Sequence, residues 1–112
     1  MKIILTDAYE QSLEQIEDFI FASSHDVESV ELFLKDHDKV LQFLLENPET
    51  PAVHPVTGDQ SWVFGEGRYR VFFRVIISGR TSGIYMLHII DNRASNRSVY
   101  PGNSIPTYEI DE

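Results

Sequence analysis

The chain has no cysteine among its 112 residues, which excludes a disulfide framework, a thiolate metal site and a cysteine nucleophile. Its fold must rest on its core alone. No apolar run approaches the roughly 20 residues of a membrane-spanning helix. The opening Met1-Lys2-Ile3-Ile4-Leu5 meets Thr6-Asp7 too early to contain the apolar centre of a signal peptide. Lysine is absent after Lys39, so every later cationic side chain of fixed charge is an arginine. An overall basic excess is also lacking: the net charge is -9, a field that opposes approach to nucleic acid. These absences predict a soluble cytoplasmic protein with no membrane partner.

The charge that is present is unevenly spread. Residues 1–60 carry thirteen acids and three lysines, residues 61–100 six arginines and two acids, and residues 101–112 three acids. An acidic protein with one arginine-rich third is suited to a localised anion site. With 42% hydrophobic residues, the chain can build one core. The expected organisation is a single domain over residues 1–100 followed by an acidic tail, 101–112.

From the N-terminus, Lys2 to Thr6 reads as a short strand, and Thr6 or Asp7 as a helix cap with Glu10 in capping-box position after Asp7. Leu13, Ile16, Phe19 and Ile20 form the apolar stripe of that helix. Ser23-Ser24-His25-Asp26 interrupts it, with Ser24 or Asp26 capping a second helix that runs to about Glu46 and stops at Asn47-Pro48. Its seam is Val27, Val30, Leu34, His37, Leu41 and Leu44, flanked by Phe33, Val40 and Leu45. After an irregular loop come strands at Ser61–Phe64, Arg68–Ile77 and Ile84–Ile90, separated by Gly65-Glu66-Gly67 and by residues 78–83. The last is apolar on both sides apart from His88 and the Tyr85 hydroxyl, which predicts a place in the middle of the sheet. The fold class is therefore α+β: a helical hairpin packed on a small, mostly antiparallel sheet, in the order β-α-α-β-β-β.

The stretch from Arg68 to Ile77 organises the functional reading. Alternation puts Tyr69, Val71, Phe73, Val75 and Ile77 on one side and Arg68, Arg70, Phe72, Arg74 and Ile76 on the other. One side is wholly apolar. Three guanidinium groups on the other require negative partners, either an external anion or the protein's own carboxylates. Arg93 and Arg97 extend the positive charge into a polar loop, where phosphate contact and solvated surface are both open.

Together, the element order, Tyr69-Arg70-Val71-Phe72-Phe73 and His88-Ile89-Ile90-Asp91-Asn92-Arg93 resemble the RelE/ParE superfamily of toxins from bacterial type II toxin-antitoxin pairs, over residues 1–100. The resemblance implies a cognate antitoxin as partner and one of two targets. RelE-type members cleave messenger RNA on the ribosome without metal or cofactor; ParE-type members inhibit DNA gyrase without cutting. By position, Arg70 would correspond to the phosphate-gripping strand arginine. Arg93 would match the arginine after the last central strand, and Tyr100 the tyrosine near the C-terminus. Attack of a ribose 2′-OH on its own phosphodiester needs proton transfer at both ends and cationic stabilisation of the phosphorane.

One departure bears on that chemistry. Nuclease members carry lysines on the strand before the signature, where this chain has Trp62-Val63-Phe64. His88 or Tyr100 would then have to supply proton transfer, and the departure favours a ParE-like or inactive relative. Each has a simpler role available: His88 as a hydrogen-bonded core histidine, and Tyr100 as packing at the chain end. His37 reads as packing in its helix seam, and Asp36-His37-Asp38 and His25-Asp26 do not point like a ligand set, so no metal is expected. A further expectation is that the acidic tail folds back on the arginine face.

Overall fold

Thr6 fixes where the first helix begins. Its hydroxyl oxygen accepts the Tyr9 amide at 3.2 Å and donates to the Met86 carbonyl at 2.8 Å, capping the helix and tying it to the last strand. The structure, a computed structural model, describes residues 1–92. The elements are β1 (Ile3–Leu5), α1 (Asp7–Ser24), α2 (Val27–Glu46), β2 (Gln60–Phe64), β3 (Tyr69–Ile76) and β4 (Gly83–Asp91). With Thr6 as cap, Tyr9 takes the capping-box position and Glu10 falls one residue beyond it. Asp26, not Ser24, caps α2 through the Glu28 amide at 3.0 Å, and Asn47 ends it with its amide on the Phe43 carbonyl at 2.8 Å.

The sheet order is β1-β4-β3-β2, with β1 parallel to β4 and the other pairs antiparallel. The protein is thus α+β in the expected order, and β4 occupies a central position. Gly83 makes the parallel pair possible. A Cβ there would lie 2.8 Å from Ile4 Cδ1 and 2.9 Å from the Lys2 carbonyl, the same carbonyl that accepts the Ile84 amide.

The helices cover one face of the sheet. Tyr9, Ile16 and Ile20 of α1 and Phe33, Val40 and Leu44 of α2 form one core with Tyr69, Val71, Phe73, Ile84, Met86 and Ile89. Phe19, Val27 and Ile77 instead lie exposed. The first helix turns Tyr9 inward and the second Phe33, and that choice carries Phe19 and Val27 to solvent. Ile77 follows the last residue of β3, so strand alternation no longer holds it.

The core contains a polar pair. Tyr9 Oη lies 2.6 Å from His37 Nε2, and burial pushes the phenol pKa up and the imidazole pKa down. Both groups are neutral at pH 7, so the phenol donates and Nε2 accepts. His37 therefore has a hydrogen-bonding role in addition to the packing role expected of it.

Candidate functional site

The sheet face opposite the helices is built by β3 and its two neighbours. Register aligns Ser61, Phe72 and His88 in one row and Val63, Arg70 and Ile90 in the next. Arg74 pairs with Tyr85 further along. A bulge sets the far end of this pattern. Phe72 faces His88 but Phe73 faces Met86, so Leu87 is the extra residue on β4. Ile84 and Met86 point inward before it, Ile89 and Asp91 after it. His88 is thereby placed on the outer face, half-buried, rather than in the core. No described residue hydrogen-bonds to its imidazole, which corrects the expectation of a bonded core histidine. Burial lowers its pKa below 6.5, leaving a neutral imidazole able to accept a proton at pH 7.

The three arginines have three different environments. Arg74 is engaged by the domain's own acid: its Nε donates to Asp59 Oδ1 at 2.8 Å, Nη2 pairs with the same oxygen, and Nη2 also donates to the Thr57 carbonyl at 3.1 Å. Arg68 precedes β3 and leaves the outer face. Its guanidinium lies 5.0 Å over the Tyr69 ring, and its Nε approaches Asp91 Oδ2 at 3.5 Å without a hydrogen bond. There it borders a cavity of about 400 Å³ on the helix side, with Ser24, Phe33 and Asp36. Alternation placed Arg68 beside Arg70, but the turn ahead of the strand redirects it.

Arg70 alone of the three meets no carboxylate among the described residues. Its Nη1 donates to Ser61 Oγ at 2.7 Å, which orients the guanidinium while leaving its other N–H groups available. Cross-strand register makes Arg70 and His88 diagonal neighbours, roughly 7–8 Å apart at Cα. A fixed cation beside a neutral base can hold an oxyanion and take a proton near it. Arg93, Arg97, Tyr100 and the acidic tail lie outside the described residues.

Ser61, Thr57 and Asp59 are the residues that sequence reading missed. The signal for Ser61 was available: a hairpin closed at Gly65-Glu66-Gly67 pairs Phe64 with Tyr69 and therefore Ser61 with Phe72, one step from Arg70. Gly65, Glu66 and Gly67 all have positive φ, as such a tight reversal demands. Asp59 and Thr57 belong to a loop without periodicity, and nothing local marks them as partners of Arg74.

No protein-family model matches the chain, and no curated protein is significantly similar to it in sequence. Among the described residues no helix is long and apolar enough to cross a membrane.

Proposed function

We propose that this protein is the toxin-like component of a type II toxin-antitoxin pair of the RelE/ParE kind, acting in the cytoplasm. In this reading its outer sheet face receives a phosphate of ribosome-bound messenger RNA. The observation that carries the reading is Arg70: a guanidinium oriented by Ser61, on the face that no described helix covers, with no described carboxylate to neutralise it. The 2′-oxygen would bond to phosphorus as the P–O5′ bond breaks, leaving a 2′,3′-cyclic phosphate. Arg70 would stabilise the phosphorane, His88 would accept the 2′-OH proton, and Tyr100 would give a proton to the departing 5′-oxygen. Arg93 and Tyr100 would assist from the segment that follows β4. A cognate antitoxin would bind the exposed apolar residues of the helices, such as Phe19, Phe21 and Leu32.

Primer extension on translating ribosomes tests this reading. The wild-type protein should produce new cuts at the A site, and Arg70→Ala and Arg93→Ala should each reduce them by at least about tenfold. Absence of cuts, or equal cutting by the variants, eliminates the nuclease.

A non-nucleolytic reading, as a gyrase inhibitor or an inactive relative, is favoured by a separate observation. Arg68 and Arg74 are already beside Asp91 and Asp59, and β2 brings no lysine to the face, so the positive charge there is small. Inhibition of gyrase supercoiling without RNA cleavage would select this alternative.

A further inference from the structure

We propose that the cavity between the 48–60 loop and the outer sheet face is a pocket for the base of a nucleotide whose phosphate is held by Arg70. The inference rests on the reading of Arg70 as an anion-holding group and adds a ligand subsite to it. The cavity measures about 310 Å³, with Ala52, Val53, Pro55 and Phe72 as apolar walls and Asp59 and Ser61 at its polar side. That is the lower end of the range for small-molecule sites, and the mixture of apolar walls with a few polar atoms suits a heteroaromatic ring.

The pocket is held in shape by its own hydrogen bonds. Gln60 Nε2 donates to the Pro48 and Pro51 carbonyls, both at 2.8 Å, and Val53 forms an isolated bridge with Gln60. The His54 amide donates to the Asp59 carbonyl at 2.8 Å, and the Gly58 amide to the His54 carbonyl at 2.9 Å. His54 Nδ1 accepts the amides of Val56 and Thr57 at 3.1 and 3.3 Å. A site organised before binding loses less entropy when the ligand arrives.

Its unused polar atoms suggest which ring it takes. Arg74 occupies Asp59 Oδ1, and no described donor reaches Oδ2. Because His54 Nδ1 accepts two amides, the neutral ring carries its proton on Nε2 as a donor. An acceptor and a donor at one pocket match the amino group and ring nitrogen of adenine or cytosine. Ser61 connects this pocket to the cation, since it lines the cavity and also holds Arg70 Nη1. A base in the pocket therefore leaves its phosphate beside the remaining N–H groups of Arg70.

The test uses the isolated full-length protein and no ribosome. Amide resonances are followed by NMR during titration with AMP, IMP, adenosine and inorganic phosphate. AMP should shift residues 53–61 and Phe72, and should bind at least about tenfold tighter than adenosine or phosphate. Arg70→Ala should reduce AMP to the affinity of adenosine, and Asp59→Asn should erase the preference for AMP over IMP. Ala52→Trp, which fills an exposed margin of the cavity, should abolish the AMP shifts while phosphate binding persists. Binding of AMP no tighter than phosphate, shifts confined to other residues, or unchanged AMP binding in Ala52→Trp would each overturn the pocket. If AMP binds as expected while ribosomal cleavage is absent, the pocket stands and the nuclease reading falls. Cleavage without the AMP preference gives the converse.

Discussion

Tyr69, Val71 and Phe73 point from β3 into the helices and are sealed from water, whereas Arg70, Phe72 and Arg74, interleaved with them, lie on the side that no described helix covers. The inner side is satisfied locally: apolar groups meet apolar groups, and Ser12, Gln60 and the Tyr9–His37 pair are hydrogen-bonded. Ser12 shows how closely this is arranged, with its hydroxyl donating to the Tyr9 carbonyl at 2.9 Å and accepting the Ile89 amide at 3.2 Å. The outer side keeps a cation whose charge is not cancelled by any described carboxylate. The buried core lies on one face, then, and the uncancelled cation on the other.

Replacing a wall of the inner face should give the largest effect. Phe73 is fully buried, and Phe73→Ala should destabilise the domain by about 3–5 kcal/mol in urea unfolding. A loss below about 1 kcal/mol would mean that the two faces are not energetically distinct.

The buried polar pair sharpens the same contrast at intermediate size. Tyr9→Phe leaves His37 Nε2 without its donor in the core and should cost about 1–3 kcal/mol. The pair also predicts a pH dependence. Burial, partly opposed by Asp38, holds the folded-state pKa of His37 below 6.5, and burial lowers that of His88 as well. The unfolded chain consequently binds protons first as pH falls. This contribution to stability is complete above 6.5 and is lost as pH falls from there toward the folded-state values. Melting temperatures from pH 8 to pH 5 should decline below about pH 6.5, and the slope should lessen in His37→Gln. A slope independent of both histidines would place the acid sensitivity elsewhere.

The outer face should yield the smallest stability changes. Arg70→Ala and Arg74→Ala should each alter unfolding free energy by no more than about 1 kcal/mol, because one removes a partly exposed hydrogen bond and the other an exposed ion pair. A cost for Arg70→Ala comparable to that of Phe73→Ala would make Arg70 a structural residue and remove the basis of the proposed anion site.

Much of the fold could be read from local sequence. Asn47-Pro48 marked the end of α2, the Gly65-Glu66-Gly67 turn marked the hairpin, and the two-sided apolarity of β4 marked its central position. The helix stripes were located but turned slightly, because periodicity alone does not say whether Tyr9 or Phe19 meets the sheet. Site residues were less legible. Arg70 followed from alternation, but the fates of Arg68 and Arg74 depend on Asp91 and Asp59, which are 23 and 15 positions away. His88 was named as a candidate, but its place on the outer face escaped, because the bulge at Leu87 reverses the parity of β4 and strict alternation has no term for an inserted residue.

By itself, the order of residues determined which segments would be helix or strand, where they would stop, and that β3 would carry alternating apolar and basic positions. Caps, turn glycines and side-chain period act over a few neighbours, so they are written directly into the chain. Only the assembled sheet decided which arginine would keep its charge available, which would meet an acid, and on which face His88 would emerge. Those outcomes depend on contacts between distant segments and on one unpaired residue in the ladder, and both exist only once the strands have taken their register.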